Sequence, residues 1–336
     1  MAAIGGAGFI TLGDVASNKG HAASDIAEVL SQDNGILNYL PYREANKGKH
    51  HETQKRIKLP ETYERKANEA IPRGKSLVGT DVFNCAHVET KVEVDKLILQ
   101  GMSPEDKKKE RWIQAMGNII SLAHKQADLI MNGSNDTDVS RVGGLFDYYG
   151  TVNSSTSAVA SQVIDCGGTG SDNTSMMLVS LGLGVHGIYP KGSSFGIQSF
   201  DDKEIDIIAN DLNGNPSSFR GERERFELDH GLVIADYTRN ARACNIDVSA
   251  LSDGSGKDLF EILIALWHKA KFINAGQHAI LVNSTIAQWL DLQAYRKVGA
   301  GGQLGYMEID GKEQLVFRRI PILTCDAISN AQARVV

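Results

Sequence analysis

Forty consecutive residues near the start of the chain, Pro41 to Thr80, limit what it can fold into more than any other stretch. They read PYREANKGKHHETQKRIKLPETYERKANEAIPRGKSLVGT and hold ten Lys and Arg, five Glu and three Pro, with very few large aliphatics. Such a segment cannot offset the entropy of its own ordering by burial. It is not of low complexity, and ETQKRIKL and TYERKANEAI read as extended, turn-punctuated arms. Two paired arms of about 15 residues reach about 50 Å each at ~3.3 Å per residue, against a radius of gyration of about 20 Å for a compact chain of this length. A hairpin that long overhangs its own subunit and needs a neighbour to lie on. A solvated loop is the other reading.

The remainder can build cores. The chain has 336 residues, 42% of them hydrophobic, enough for one large domain or two to three modest ones. Its 35 Lys and Arg against 41 Asp and Glu leave no basic surplus for non-specific nucleic-acid binding. MAAIGGAGFITLGD lacks a basic flank, and no window approaches the roughly 18 apolar residues of a membrane span. The expected location is therefore the cytoplasm of the producing cell. Cys85, Cys166, Cys244 and Cys325 are widely spaced with no C-x-x-C, which predicts buried free thiols. The sequons at Asn135, Asn153, Asn173 and Asn283 carry no meaning without a secretory signal.

Local patterns place the elements. AASDIAEVLS (22–31) reads as a short helix. VFNCAHVETKVEVDKLILQ (82–100) alternates as a strand and then turns helical. Ser103 as N-cap, Pro104 at the first helical position and Gly133 past the end bound a helix over about 104–132. Trp112, Met116, Ile119, Ala123, Ala127 and Ile130 recur along it at spacings of three and four, predicting one buried stripe laid across a sheet. SMMLVSLGL, the GIYPKG region, FGIQSF with EIDIIA, and ERFELDHGLVIADYTRNARACNID supply strands. DLFEILIALWHKAKF is an apolar helix and HAILVNS a buried strand. Thr285 with Gln288 reads as a capping box opening TIAQWLDLQAYRK, and YMEIDGKEQLVFRRIPIL as a hairpin turning on Asp310-Gly311. Without a regular βαβ rhythm, the class is α+β.

Two catalytic-looking signatures overlap in GLGVHGIYPKGSSFG (182–196). Gly182, Gly184 and Gly187 spell G-x-G-x-x-G, but the dinucleotide fingerprint needs a helix next, and IYPKGSS follows with Pro190 three residues on. Gly192, Ser194 and Gly196 spell G-x-S-x-G, with Asp229 or Asp236 and then His268 or His278 in the order of a hydrolase triad. Yet FGIQSFDDKEIDI after the serine alternates as a strand. Lys75-Ser76 lacks the first P-loop glycine, His50 and His51 lie on a basic arm without metal-spaced partners, and Trp267 and Trp289 suit a core. No catalytic, cofactor-binding or metal-ligating set emerges, and the unexplained features are architectural.

Taken in order, those features resemble the major capsid proteins of tailed bacteriophages, the HK-ninety-seven-like fold, and most closely those of epsilon-fifteen-like short-tailed phages. The resemblance runs over nearly the whole chain. It is carried by TLGDVAS, IAEVLSQDNGILNYLPYREAN, VETKVEVDKLI, ERWIQAMGNIISLAHKQADLIMNGS, GLFDYYG, VIDCGGTGSDNTSMMLV, GIYPKGSSFGIQ, GLVIADYTRNARACNIDVSAL and FRRIPILTCDAI; DCGGTGSDNTS and IYPKGS are the most specific. Tyr63 stands where the family has a tryptophan, and Ala70-Ile71 where a Gly-Val pair is usual.

The resemblance implies an N-terminal arm (1–40), an extended loop (41–81), a peripheral domain with its spine helix (82–148), an axial domain (149–300) and return strands (301–336). It implies a non-enzymatic structural subunit that self-assembles into hexamers and pentamers of an icosahedral head around double-stranded DNA. Expected partners are further copies of itself, a scaffolding protein encoded elsewhere, a portal and a decoration protein. No cofactor and no membrane are expected. The virion is the expected location, with assembly in the bacterial cytoplasm. Lys55, Arg56, Lys58, Glu61, Glu64 and Arg65 of the loop are the expected intersubunit ion-pairing residues. A serine hydrolase using Ser194 and an encapsulin-like compartment shell are the alternatives.

Overall fold

The computed structural model describes residues 32–135, 141–153, 155, 157–210, 215–253, 256–296, 304–309 and 312–336. The helix expected over 22–31 and the Asp310-Gly311 turn lie outside them. In chain order the strands are β1 Tyr42–Glu44, β2 His50–Lys58, β3 Leu77–Asp95, β4 Val163–Asp165, β5 Asn173–Leu181, β6 Val185–Tyr189 and β7 Gln198–Asn210. There follow β8 Pro216–Ile234, β9 Ala241–Asp247, β10 Gln277–Val282, β11 Leu304–Ile309, β12 Lys312–Phe317 and β13 Ile320–Thr324. The helices are α1 Ile36–Tyr39, α2 Lys96–Gln100, α3 Pro104–Asn132, α4 Leu145–Tyr148, α5 Ser249–Asp253, α6 Leu259–Lys269 and α7 Ser284–Arg296. No described helix is long and apolar enough to cross a membrane.

The chain divides into two compact units. The smaller contains His87–Gln126 and Phe195–Asp229. Here β8 lies between β7 and β3, and α3 covers one face. Ser103 opens α3 as its sequence predicts, Oγ accepting from the Asp106 amide at 3.2 Å. Of the expected stripe, Ala127 and Ile130 are fully buried and Ile119 packs on a core, but in the first half of the helix the buried row is Ala115, Ile119 and Leu122 against Val88, Phe226 and Leu228. Trp112, placed in the stripe by spacing, is 57% exposed. The helix carries two apolar rows rotated by roughly 80° at 3.6 residues per turn, and the side chains of the sheet select the smaller one.

Phe226 and Leu228 of β8 face α3. The opposite face is laced by ion pairs: Arg223 to Glu93 at 2.7 Å, and Arg225 to Asp202 and to Glu227 at 3.2 Å each. On the helix face Arg111 bridges Asp201 and Glu222.

The larger unit contains Asp33–Ala86, Ala127–Ser194 and His230–Val336. Its sheet runs β11-β12-β13-β10-β5-β6, with the end of β8 beyond β6. Every residue of β5 is buried. Met177, Val179 and Leu181 enter one core with Ile130, Met131, Leu145 and Phe146. Met176 and Leu178 enter a second beneath α6 and α7, with Leu263, Leu266, Ile286 and Leu290. A period of two on a strand buried on both faces produces this division.

Caps and turns follow chemistry that spacing only partly reveals. Asp258 caps α6 by accepting from the Phe260 amide at 3.0 Å. Helix α7 begins one residue before Thr285, and its cap is Asn283, whose Oδ1 accepts from the Ile286 amide at 2.8 Å. This corrects the Thr285 capping box: Thr285 Oγ1 instead accepts from Asn330 at 2.9 Å. The segment read as one hairpin is a three-stranded meander. Its second turn is Arg318-Arg319, both left-handed at φ 49° and 70°. The Arg318 guanidinium lies over the Trp267 ring at 5.1 Å, a cation–π contact that holds the strained turn.

One buried cation joins this unit. Arg242 on β9 is 3% exposed. Its Nη1 donates to the carbonyls of Phe146 at 2.9 Å and Tyr149 at 3.0 Å, and its Nη2 to Ser175 Oγ at 3.0 Å and Gln332 Oε1 at 3.4 Å. The guanidinium also sits 4.2 Å from the Phe146 ring centre. Burial brings its pKa down to about 10. The four cysteines are free, and burial pushes the thiols of Cys166 and Cys325 up to about 12.

Candidate assembly surface

The segment Pro41–Thr80 does form a hairpin, with arms different from those its composition suggests. Strand β2 pairs antiparallel with the start of β3, His50 opposite Asn84 through Arg56 opposite Val78. TYERKANEAI (62–71) is not an arm. It belongs to the tip, where Pro60 and Pro72 remove ladder donors and Asn68 turns left-handed at φ 67°. The second arm is instead Leu77 followed by the alternating β-branched Val78, Thr80 and Val82.

From 56 to 75 every residue is exposed. Ile57 and Leu59 are 60% and 66% exposed, and Ile71, Leu77, Val78 and Val82 each half or more. Among the described residues nothing in the chain covers these side chains.

The six predicted charges separate into two groups. Lys55 is spent inside the hairpin, 2.5 Å from Asp81, and Lys58 lies 3.9 Å from Glu61. Glu61 also accepts from the Tyr63 hydroxyl, which raises the phenol's pKa. Among the described residues Arg56, Glu64 and Arg65 make no ion pair within the chain. They and the apolar side chains form the available part of the surface. Ile57 and Leu59 escape sequence reading because each stands singly in a charged run.

The hairpin root is seated on the IYPKG stretch. Gly187 donates to the Pro41 carbonyl, Ala45 to the Tyr189 carbonyl and Lys191 to the Gly48 carbonyl, each at 2.9 Å. The Gly192 amide donates to Glu44 Oε1 at 2.8 Å. Strand β1 runs parallel to β6 with Tyr42 opposite Gly187. The Tyr42 ring lies so close over Gly187 that a Cβ there would come within 2.2 Å of it.

The fingerprint glycines are thus structural. Gly182 turns at φ 84°, Gly184 backs onto Ser180 and Asn240, and Gly187 admits the tyrosine. No helix follows them. Ser194 lies on an exposed connection into strand β7 rather than on a strand-to-helix elbow. Of its proposed partners, Asp229 Oδ1 bonds His87 Nδ1 at 2.9 Å. Asp236 caps the turn at Thr238 and pairs with Arg239, while His278 is buried in β10.

Two more buried imidazoles flank the root. His230, wholly buried, meets the Tyr42 hydroxyl through Nδ1 at 3.3 Å, and its Nε2 has no partner. His186, 5% exposed, meets the edge of His51 with ring centres 5.8 Å apart, and its Nδ1 has no partner. Burial lowers the pKa of each to about 4, helped at His186 by Arg43 and His51. His51 is half-buried, and burial followed by Arg43 lowers its pKa as well. In the smaller unit His87, Glu89 and Glu227 bring possible ligand atoms within 4.8 Å of one another. There Asp229 holds His87 and Arg225 holds Glu227.

A family model for the major capsid protein GP7 matches residues 17–336. The near-atomic structure of Bacteriophage Epsilon15 is 26% identical over 100% of this chain and 99% of its own, with a TM-score of 0.75. The capsid of Bacteriophage JBD30 is 10% identical, covering 95% and 99%, at a TM-score of 0.43. The SrpI encapsulin of Synechococcus elongatus is 12% identical, covering 71% and 97%, at 0.40. No curated protein matches the sequence.

Proposed function

Because the chain belongs to the major capsid protein GP7 family, we propose that many copies of it close into the hexamers and pentamers of an icosahedral phage head, each extended hairpin lying on a neighbouring copy. Its role is structural. The observation that carries the contact reading is the tip: twenty consecutive exposed residues that include uncovered Ile57, Leu59 and Ile71 beside Arg56, Glu64 and Arg65.

Apolar burial supplies most of the affinity at about 25 cal/mol per Å². Each exposed ion pair adds about 0 to 1 kcal/mol and chiefly sets register. Lys55, Lys58 and Glu61 contribute by stiffening the hairpin. Contacts of this strength let misplaced subunits leave during growth, while their number makes the closed shell persist.

Double-stranded DNA is the proposed content. A net charge of −6 suits a wall that confines DNA carrying its own counterions. A scaffolding protein, a portal and a decoration protein complete the proposed set of partners, and the virion is the final location after assembly in the bacterial cytoplasm. The test is the combined variant R56E/I57D/L59D/R65E, which removes the apolar and the ionic contact together at exposed positions, followed by sedimentation and negative-stain electron microscopy. Loss of closed shells with an unchanged melting profile is expected. Shell yield equal to wild type would remove the loop-mediated interface.

A further inference from the structure

Strand β1 is only three residues long, yet it fixes where the extended hairpin begins. A buried histidine lies on each of its two faces. Because Tyr42 stands opposite Gly187, its ring takes the face shared with His230, Leu232 and Ile234, where its hydroxyl meets His230. Arg43, one residue on and opposite Ile188, takes the other face, shared by His186 and Val233, onto which His51 packs. Both buried rings have one nitrogen with no hydrogen-bond partner. A neutral imidazole tolerates such an orphan acceptor, whereas an imidazolium would carry an unpaired N–H and a full charge into an apolar site.

We propose that His230 and His186 form an acid-operated latch on β1: neutral, His230 seats Tyr42 and His186 lets Arg43 pass unopposed, and protonated, they release the strand from β6 and with it the root of the hairpin.

The groups that face the two rings favour release. His230 faces the Tyr42 hydroxyl from β1. His186 faces Arg43 from β1 and His51 from β2, both of which repel an imidazolium, and Cys85 from β3 lines the same small apolar cluster. Among the described residues no carboxylate pairs with either ring.

The direction follows from linkage. Both rings titrate lower when buried, near 4, than the 6.5 of a free imidazole. The seated state therefore has its full advantage above pH 6.5 and loses it as pH falls toward 4. At pH 5 the balance between seated and released strand shifts by about 30-fold for each ring that becomes solvated on release.

The Ala45 amide, which donates to the Tyr189 carbonyl, reports the latch directly. Hydrogen exchange of the full chain at pH 7.5 and 5.0, corrected for intrinsic chemistry, should show its protection falling by about 30-fold or more. Peptides from β10 should keep their protection. H230F/H186L should hold Ala45 protection constant across the same range. An unchanged acid response in that variant, or no response in wild type, overturns the latch.

Should H230F/H186L fail to fold, imidazole C2–H exchange in the wild-type chain decides. Both rings must titrate well below 6. Values near 6.5 with Ala45 still protected overturn the proposal. Neither readout depends on whether the hairpin contacts another copy, so the latch and the assembly reading can fail separately.

Discussion

Replacing Arg242 tests how the larger unit holds its C-terminal segment and α4 to the central sheet. Arg242→Met keeps an unbranched apolar stem but removes the donors to the Phe146 and Tyr149 carbonyls. Each buried acceptor left unmade costs about 1–3 kcal/mol. Ser175 and Gln332 lose less, because the Ser175 hydroxyl already donates to Gln332 at 2.6 Å. Against that loss stands the desolvation of the arginine itself. A pKa brought from 12.5 to about 10 corresponds to about 3 kcal/mol that methionine does not incur.

The net expectation for methionine is about −1 to 3 kcal/mol, centred on a loss of about 1 kcal/mol. Arg242→Ala loses the same bonds and also the stem packed on Phe146, for about 3–5 kcal/mol in total. At roughly 2–4 °C per kcal/mol for a unit of this size, alanine should lower the melting transition by about 10 °C and methionine by less than half of that. Differential scanning calorimetry of the full chain gives both numbers. An alanine variant melting within about 2 °C of wild type would show that the guanidinium bonds are energetically idle. Methionine as damaging as alanine would show that the stem is.

Two further outcomes follow from the same contacts. Gly187→Ala drives a methyl into the Tyr42 ring and should cost about 1–3 kcal/mol, with Ala45 exchange accelerating at pH 7.5 while α6 is unaffected. Raising NaCl to about 1 M shortens screening to roughly 3 Å; peptides of β7 and β8 in the smaller unit should then exchange faster, those of β5 and β10 should not, and Arg223→Ala should remove part of the salt response.

Much of this was legible in order and little of it in orientation. Ser103-Pro104 and Gly133 bracket α3 because capping is local chemistry. Which row of α3 is buried depends on Phe226 and Leu228, about 110 residues away in sequence, and no periodicity contains that choice. Thr285 carries the capping-box spacing, but Asn283 also reaches Thr174 at 3.0 Å, a tertiary bond that fixes the cap two residues earlier. The charged loop was legible as a hairpin from what it lacks. Its second arm was misplaced because TYERKANEAI matches the first arm in composition, whereas Leu77–Val82 matches it in strand propensity. Arg242 gave no signal beyond one cation in the mostly apolar run ARACNI, and the seat of the root on IYPKG gave none but glycines that imitate a nucleotide motif.

The ion-paired sheet of the smaller unit is redundant in its contacts. Arg225 stands between Asp202 and Glu227 at equal distances of 3.2 Å, and Glu93 is shared by Lys91 and Arg223. A charge with two partners keeps one when the other is removed, so no single substitution among the carboxylates around Arg225 leaves it unpaired. The fully buried β5 of the larger unit has no such reserve, because every side chain it loses leaves a cavity.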